Sequence, residues 1–507
     1  LIIVGTGENN SSRSSYAGVG ILKSNDNGKT WINIGLNDSH HIGKIVINPN
    51  NPNEIVVAVL GHLYSKNKER GIFKTIDGGV TWENTLYIDE STGIIDLDIS
   101  ANNFKIQFAS SWQKSRKAWD FKGNGEKSGI YKSVDSGKTW NLISTQKSGF
   151  PTGNGVGRIG LAVFDSKTLY AVVDNQFRRP KSKASTEKTD LSKNYFESIS
   201  KERFLKIDDL KLDKFLTTNS FPKKYNSTKI KELVKNDLIK PSDLKLYLED
   251  ANTVMFETPI IGAQVYRSDD GGLNWTLKNS YYLDRLYNTY GYYFGKIHVS
   301  PVNKDNIYIY GVPFIKSNDG GVTYKSIDYP NVHVDHHDLW INPKNPKHLI
   351  NGNDGGVNIS YDDGENWLKL NQPSVGQFYT INVDNEIPYN VYGGLQDNGV
   401  WMASSKSKES LRWHQTGQNN WKSIMGGDGM QVQIDNRDSN IIYTGSQFGV
   451  YYRINKSKRT YIKPKHELGE SPLRFNWQTP ILLSPHNQDI LYLGSNKLHT
   501  SFNKGDK

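Results

Sequence analysis

An eight-residue pattern recurs along this chain and restricts its fold more than any other feature of the sequence. The pattern reads Ser/Thr-x-Asp-x-Gly-x-Thr/Asn-Trp/Tyr, and its copies are called the octets here. The octets stand at 24–31, 75–82, 133–140, 268–275, 317–324 and 360–367, and SFNKGDK at 501–507 matches the start of a further copy. Repetition of so specific a pattern predicts a fold built from structural repeats.

Each octet has the composition of a β-hairpin turn. Its Asp can accept backbone N–H hydrogen bonds, its Gly provides a positive φ, and its aromatic residue buries a large apolar face where the next strand begins. A strand-like run precedes each octet, and a longer pair such as 44–47 and 54–60 lies further upstream. Four short strands in a repeat of about 45 residues are typical of a β-propeller blade, so we predict an all-β propeller fold.

The spacing of the octets predicts about nine blades, of which the first and the last are incomplete. Two degenerate blades, around 378–401 and 430–453, fill the long gap after the sixth octet. A strand-like run begins at the first residue, so we expect the chain to be cut inside a repeat, with any targeting sequence upstream.

The gap between the third and fourth octets holds an inserted segment, 181–255, that we predict to be helical. A helix start stands at 241–243, and a second short apolar face lies at 230–234. The apolar residues that follow a helical period are Phe204, Leu205, Leu210, Leu212 and Phe215. We expect three or four small helices that cap one blade or, alternatively, form a docking surface for a partner.

Composition excludes several classes of function. The 507 residues include no Cys, which excludes disulfides, thiolate metal sites and a Cys nucleophile. The formal charge of +10 comes from scattered Lys and Arg residues without a basic stripe interleaved with aromatics, so we predict no nucleic-acid partner. No run approaches the roughly 20 apolar residues of a membrane span.

The octets are identified as Asp-box, or bacterial neuraminidase, repeats. Longer strings resemble the large repeat proteins of Bacteroidota-type bacteria that are often labelled glycosyl hydrolase or sortilin-like. These strings are GTGENN, HHIGKIVINP, GVGRIGLAV, DHHDLWINP, NGNDGG, YGGLQDNG and GGDGMQVQID. The resemblance spans essentially the whole chain, including the inserted segment.

That resemblance implies two seven-bladed propellers in tandem, both partial. The first would span 1–370, with the helical insertion at 181–255, and the second 371–507. The architecture is similar to that of family seventy-four glycoside hydrolases and, more distantly, to sortilin (Vps-ten) domains. In such proteins the Asp-boxes lie on the face away from the ligand. We therefore assign turn stabilisation to Asp26, Asp77, Asp135, Asp270, Asp319 and Asp362.

Polar loops at the expected mouth of a propeller channel supply the candidate site residues. For ligand binding these are His333, His336, His337, Asp338, Asp354, Gln396, Asn398, Gln447, Arg158, Trp413 and Trp421. Further aromatics in loop-like contexts, candidates for stacking or for the core between blades, are Trp112, Trp119, Tyr290, Tyr292 and Tyr293.

Three interpretations of the polar loops stay open. Asp335, Asp397 and Asp428 are candidates for a catalytic acid and base on a glycosidic bond. Alternating residues on a strand point the same way, so His333, Asp335 and His337 are an alternative metal triad, although we predict no bound metal or cofactor. The third interpretation is a hydrogen-bonded network that holds the loops in place.

Two functions follow from these observations. The leading hypothesis is an exported bacterial protein, extracellular or in the cell envelope or outer-membrane surface, that binds a protein, a peptide or another polymeric ligand. The insertion would then contact an envelope complex. The alternative is a glycoside hydrolase acting on a polysaccharide. A sialidase is disfavoured because the chain contains no Arg-Ile-Pro motif.

Overall fold

Short antiparallel strands in consecutive groups of three or four supply most of the regular secondary structure of the protein in its computed structural model. The structure describes residues 1–100, 103–180, 191–249, 260–328, 331–370, 376–416 and 419–506. Two compact units divide the chain. Unit 1 comprises Leu1–Pro180 with Glu257–Gln372, and unit 2 comprises Lys181–Phe256 with Pro373–Lys507.

In its described residues, unit 1 contains six sheets that follow one another along the chain, and a short hairpin. The first sheet contains β1 (Ile2–Gly5), β2 (Ile21–Ser24) and β3 (Ile32–Asn33), and the second contains β4 (Ile42–Asn48), β5 (Asn51–Val59), β6 (Gly71–Thr75) and β7 (Glu83–Leu86). The third contains β8 (Thr92–Ser100), β9 (Asn103–Gln113), β12 (Gly129–Ser133) and β13 (Asn141–Leu142), and the hairpin of β10 (Ser115–Arg116) and β11 (Phe121–Lys122) lies before β12. The fourth contains β14 (Val156–Val163), β15 (Leu169–Arg178), β16 (Ile260–Ser268) and β17 (Thr276–Leu277); the fifth contains β18 (Lys296–Val299), β19 (Ile307–Tyr310), β20 (Phe314–Ser317) and β21 (Lys325–Ser326); and the sixth contains β22 (His336–Ile341), β23 (Leu349–Asn353), β24 (Gly356–Ser360) and β25 (Leu368–Lys369).

Within each of these sheets the strands pair with their neighbours in sequence order, as in an antiparallel meander. The middle strands β5 and β15 are runs of β-branched and other apolar residues, because sheets pack on both of their faces. The first strands of successive sheets contact one another, as β4, β8, β14 and β18 do in turn. The first strands of all six sheets also line one channel, which is the radial arrangement of a β-propeller.

The octets form the turns between the third and fourth strands of the four-stranded sheets, and the octet at 24–31 forms the turn between β2 and β3. In the octet at 75–82, the Asp77 carboxylate accepts hydrogen bonds from the backbone N–H groups of Val80 and Thr81, both at 3.0 Å, and from the Thr81 hydroxyl at 2.6 Å. The Thr75 hydroxyl donates to the same carboxylate at 2.6 Å and accepts from the Gly79 N–H at 3.0 Å. This closed network explains why the octet sequence recurs with so little variation.

The described part of unit 2 contains three further sheets and five of the α-helices. Its strands are β26 (Phe378–Val383), β27 (Asn390–Leu395), β28 (Gly399–Ser404) and β29 (Lys422–Met425); β30 (Gln433–Ile434), β31 (Ile441–Ser446), β32 (Val450–Asn455) and β33 (Lys458–Tyr461); and β34 (Ile481–Leu483), β35 (Leu491–Gly494) and β36 (Leu498–Ser501). Among the described residues the helices are α1 (Lys201–Leu205), α2 (Asp209–Thr218), α3 (Ser227–Lys235) and α4 (Asp243–Leu248) in the insertion, α5 (Asp284–Tyr287) in unit 1 and α6 (Leu411–Thr416) in unit 2. The 3-10 turns lie at Asn37–Ser39, Gln146–Ser148 and Lys193–Glu197.

The insertion differs from its sequence-based description in two respects. Leu210 was expected on the apolar face, but it is 80% exposed because it lies on the outer side of α2. The insertion was assigned to the first propeller, but its helices pack within unit 2. Leu468 joins their apolar core, and the Glu467 carboxylate pairs with Lys224 at 2.6 Å and accepts a hydrogen bond from the Tyr225 hydroxyl. Parts of the predicted segment, 181–190 and 250–255, lie outside the described residues.

None of the helices in the described ranges combines the length and the apolar character that crossing a membrane would need.

Candidate functional site

The channel of unit 1 encloses a cavity of about 670 Å³. One end of the channel lies beside the loops that precede the first strands and follow the second strands, and this end is called the mouth. The octets lie at the other end of the same sheets, because each lies between the last two strands of its sheet. The charged side chains that line the channel are Glu8, Lys44, Asp96, Asp98, Arg158, Lys296 and Asp338. The channel and its mouth are therefore the candidate functional site of unit 1.

Asp338 on β22 is held in its charged form by the cations around it. Its carboxylate lies 3.3 Å from the Lys296 Nζ and accepts a hydrogen bond from the Tyr310 hydroxyl at 3.2 Å. Burial disfavours the carboxylate, but Lys296, His298 and Lys44 outweigh that effect and lower the pKa of Asp338 to about 2. Sequence reasoning had placed Asp338 among the ligand-binding residues, and it faces the channel.

Two channel acids on β8 were missed by sequence reasoning. The Asp96 carboxylate accepts a hydrogen bond from the Leu161 N–H at 2.9 Å, and the Asp98 carboxylate accepts one from the Val163 N–H at 2.7 Å. Burial raises the pKa of Asp98 to about 6, although the charge of Lys44 opposes the shift. The available signal was the pair of acids at alternating positions in an otherwise apolar strand, which directs both to one face.

A pair of carboxylates lies at the mouth, next to β22. Asp335 and Asp354 bring carboxylate oxygens within 4.8 Å of each other. Burial, followed by the Asp354 charge, raises the pKa of Asp335 to about 6, against the opposing effect of His333, His337 and His336. His337 Nε2 lies 2.6 Å from Asp354 Oδ1. A neighbouring pair of acids, one of which has a raised pKa, is one of the arrangements that acid–base chemistry uses.

The other candidates of this blade have mainly internal contacts. His336 is buried, with its Nδ1 2.7 Å from the Asn351 side-chain oxygen. His333 Nδ1 lies 2.9 Å from the Val334 carbonyl oxygen. Within the described residues, His333, Asp335 and His337 do not bring three ligand atoms within 4.8 Å of one another, so the alternative metal triad is not assembled.

Cations and aromatic rings alternate around the mouth. The Arg116 guanidinium lies 3.7 Å from the ring centre of Phe121 and 5.3 Å from that of Tyr292. Arg158 lies 5.8 Å from the Trp112 ring centre, and it donates to the backbone carbonyl groups of Tyr292 and Tyr293, both at 3.1 Å. Trp112, expected in a loop, is fully buried on β9. Trp119, in contrast, is 83% exposed.

In unit 2, Asp428 and Asp397 belong to one hydrogen-bonded cluster. The buried Asp428 carboxylate accepts from the Asp397 backbone N–H at 3.1 Å and from the Tyr379 hydroxyl at 3.4 Å. The Tyr379 oxygen in turn accepts from the Trp477 indole N–H at 3.1 Å. Asp397 has a φ of 58°, a left-handed conformation that Asp tolerates better than most residues.

The remaining candidates of unit 2 lie in separate turns. Asn398 is exposed, and its side-chain amide donates to the Gln396 carbonyl oxygen at 3.1 Å. Gln447 is half-buried in the turn between β31 and β32. Trp413 is half-buried on α6, and Trp421 packs against Phe378 with ring centres 5.9 Å apart.

Comparisons with known proteins give likenesses of architecture. No protein-family model and no curated protein matches the chain. Among solved structures, the chain is similar to the GH74 xyloglucanase from Xanthomonas campestris, at 11% identity over 98% of this chain and 68% of that one, with a TM-score of 0.35. The Niastella koreensis GH74 enzyme is 15% identical over 100% and 67% of the two chains, with a TM-score of 0.36.

A third similar structure is that of YCF48 bound to D1 peptide. It is 8% identical over 81% of this chain and 93% of that chain, with a TM-score of 0.28. Likenesses at such identities carry no information on activity. The propeller fold follows instead from the strand order and from the channel that the six first strands share.

Proposed function

We propose that this chain is an exported cell-envelope protein that binds a protein or peptide segment, or another polymeric ligand, at the mouth of the unit 1 channel. Its role would be that of a sortilin-like scaffold or receptor. The observation that carries the proposal is the lining of one channel with fixed charges of both signs, Lys44 and Lys296 against Asp96, Asp98 and Asp338.

A charged lining suits a polypeptide better than a neutral sugar chain. Peptide segments present backbone dipoles and charged side chains, which fixed charges of both signs can orient. Neutral sugar rings are held mainly on exposed aromatic faces. Here Trp112 is buried and the Phe121 and Tyr292 rings are covered by the Arg116 guanidinium, so that of these rings and Trp119 only Trp119 presents an open face.

The state of the acids in unit 2 also favours binding over hydrolysis. Asp428 is buried and already accepts hydrogen bonds from the Asp397 N–H and the Tyr379 hydroxyl. A carboxylate engaged in this way holds its turn together and has less capacity left for proton transfer to a substrate. We therefore assign Asp428 to loop structure and expect Asp428→Asn to retain ligand binding.

A peptide-binding screen tests the proposal. A library of immobilised peptides is probed with the full chain and with Lys44→Met, Lys296→Met and Lys138→Met variants. Lys138 is an exposed residue of an octet, at the opposite end of the sheets, and serves as the matched control. We expect the two channel variants to weaken binding by roughly tenfold or more, which is the loss of one desolvated charge contact, and the control to leave it unchanged. Equal retention by all four proteins would contradict the proposal.

Hydrolysis of a polysaccharide is the second candidate function, and the Asp335–Asp354 pair favours it. The two carboxylates lie within 4.8 Å, and Asp335 keeps its proton up to a pH of about 6. Retaining glycosidases place their two carboxyl groups about 5–5.5 Å apart. The test is incubation of the protein with xyloglucan and other β-glucans, followed by chain-length analysis. Shortening that is lost in Asp335→Asn and Asp354→Asn would support hydrolysis, and unchanged chain lengths would exclude it for these substrates.

The insertion is proposed as the surface that meets an envelope partner. Leu210 and Leu238 are large apolar side chains that are 80% and 67% exposed on it. Envelope extracts of the source cell are passed over the full chain and over a Leu210→Ser/Leu238→Ser variant. One stoichiometric protein retained by the first and lost by the second would support this role, whereas identical recovery would contradict it. Fractionation of the source cell tests the proposed location in the envelope.

A further inference from the structure

A cluster of potential metal ligands lies at the mouth of unit 1, separate from the carboxylate pair. Asp38 belongs to the 3-10 turn before β4, His40 follows it, and His62 stands in the loop after β5. These residues each offer one ligand atom, and the three atoms lie within 4.8 Å of one another. Neither the channel charges nor the proposed ligand binding accounts for them.

We propose that Asp38, His40 and His62 form a binding site for Zn²⁺ or a chemically similar divalent transition-metal ion. Two imidazole nitrogens and one carboxylate oxygen are ligands that zinc prefers, and they are a poor set for Ca²⁺ or Mg²⁺, which take oxygen ligands. Three protein ligands leave room for a fourth, from solvent or from a bound partner.

His62 is already oriented as a metal-binding imidazole would be. Its Nδ1 lies 2.7 Å from the Ser65 hydroxyl, and its Nε2 lies 3.0 Å from the Asp38 carboxylate. A hydrogen bond to the second ring nitrogen fixes the tautomer and the direction of a ligating His. A metal ion would take the position of the proton between His62 and Asp38, and Ser65 would remain the partner of Nδ1.

The loop that carries His62 is held in place before any ion binds. Arg70 donates to the carbonyl oxygens of Leu60, His62 and Ser65, at 2.6, 2.8 and 2.9 Å. The Asn67 side-chain amide donates to the Asp38 carbonyl oxygen at 2.7 Å, which ties the two loops together. Such preorganisation lowers the entropic cost of assembling a site.

His40 stands in a strained conformation beside His62. Its φ of 55° is uncommon for a residue with a side chain, and strain of this kind concentrates at functional sites. The two rings are stacked with centres 3.6 Å apart and planes 17° apart. The nitrogen lone pairs of two parallel rings point in similar directions and do not converge on one ion. Coordination therefore requires the His40 ring to tilt. The same tilt would bring the ligand atoms to the separation of roughly 3.4 Å that tetrahedral zinc ligands have.

Glu69 adds a further negative charge near the cluster. Its carboxylate interacts with the charges of Asp38 and His62, and its Oε2 is buried with no hydrogen-bond partner among the described residues. A buried carboxylate oxygen without a partner is costly, and a cation next to it would remove that cost. The negative charge of Glu69 therefore favours a cation at this cluster, while Asp38, His40 and His62 remain the three ligands whose atoms lie together.

Metal titration of the full chain tests the site. The chain is freed of metal with a chelator and titrated with Zn²⁺ by calorimetry, and the Co²⁺ form is examined for the visible absorption of a tetrahedral site. We expect one equivalent of Zn²⁺ to bind and to raise the Tm. Loss of a second-shell partner typically costs 10–100-fold in affinity, so we expect that loss for Ser65→Ala and at least as much for His62→Ala and His40→Ala.

Two further variants keep the test decisive. Asp38→Asn preserves the size of the side chain and one oxygen that can accept from His62, so we expect the fold to be retained while a charged ligand is removed. His486→Ala removes an exposed histidine of unit 2 and should leave the affinity unchanged. The proposal is overturned if the wild-type chain binds no Zn²⁺ at micromolar concentrations, if it binds only Ca²⁺, or if His62→Ala and Asp38→Asn bind Zn²⁺ as tightly as wild type does.

Discussion

The octets illustrate how a residue acquires a role from its immediate neighbours. In the octet at 133–140 the buried Ser133 hydroxyl donates to Asp135 at 2.8 Å and accepts from the Gly137 N–H at 2.9 Å. Both partners lie within four residues, so the role of the Asp could be predicted from sequence spacing alone. The geometry also implies that the small hydroxyl residue is as necessary to the turn as the acid is.

The first prediction concerns that hydroxyl. Ser133→Ala leaves the buried Gly137 N–H without an acceptor, so we expect the free energy of unfolding to fall by about 1–3 kcal/mol. The measurement is chemical denaturation of the full chain, in which tryptophan fluorescence monitors the unfolding of unit 1. Val134→Ala removes apolar atoms from an exposed position of the same octet and should change stability by less than about 0.5 kcal/mol. Equal effects of the two substitutions would refute this explanation of the turn.

Asp335 gives a prediction about pH. Its pKa is about 6 in the folded state against an ordinary value of 3.8, so the folded chain holds a proton that the unfolded chain releases. Stability therefore falls as the pH rises from about 4 to about 6, and the loss persists at higher pH. Asn cannot ionise and tolerates the left-handed φ of 62° at this position. Asp335→Asn should thus be more stable than wild type at pH 7.5 but not at pH 4.

Water at the mouth limits the gain in stability that Asp335→Asn can give, because it screens the charges there. Without screening, the pKa difference would correspond to roughly 3 kcal/mol, but part of the Asp335–Asp354 repulsion is screened, and we expect about 1 kcal/mol, or about 2–4 °C in Tm. Differential scanning calorimetry at the two pH values provides the measurement. Asp354→Asn removes the neighbouring charge and should give a smaller gain of the same sign. A gain that is equal at pH 4 and pH 7.5 would rule out the electrostatic cause.

At the scale of elements, periodicity in the sequence located the strands and the helices but not their partners. Strand β6 at Gly71–Thr75 and helix α4 at Asp243–Leu248 lie where local pattern placed them. The packing of the insertion within unit 2 was not foreseen, because its contacts with Glu467 and Leu468 join residues more than two hundred positions apart. Local spacing holds no information on such pairs.

The apolar core of the insertion yields the third prediction. Ile230 on α3 is fully buried among residues such as Phe204, Leu212 and Leu244, so Ile230→Ala should cost about 2–5 kcal/mol. Leu210→Ala is the matched control, since Leu210 is mostly exposed on α2 and should change stability by less than about 0.5 kcal/mol. Hydrogen exchange reports which amides open. We expect faster exchange in α1–α4 for the first variant only, and equal exchange in both would contradict the assignment of the core.

At the scale of the whole molecule, the channel of unit 1 exists only because strands distant in sequence converge. Asp96 and Asp98 were missed because their partners lie on other sheets, and no window of sequence around β8 contains them. The repeat pattern predicted that blades would form. Which charges would face one another across the channel depends on the closure of the ring, which the sequence does not encode locally.

The fourth prediction tests whether the ring of sheets in unit 1 closes around the channel, and it uses two charged residues that line the channel. Lys44 lies on β4 and Asp338 on β22, the first strands of the second and sixth sheets, and each shifts the pKa of the other. Lys44→Met and Asp338→Asn should each destabilise unit 1, because each leaves charges of the channel without compensation. The double variant should lose less than the sum of the two, with a coupling free energy of about 0.5–3 kcal/mol.

The coupling is obtained from denaturation of the wild type, the two single variants and the double variant. The control cycle pairs Lys44→Met with Lys138→Met, whose exposed side chain lies at the octet end of the sheets, and it should be additive within about 0.3–0.5 kcal/mol. Additivity in both cycles would mean that β4 and β22 do not face a common channel in solution, and the binding site proposed at its mouth would then lose its basis. Coupling confined to the first cycle would establish that the two strands share the channel, because no local element joins Lys44 to Asp338.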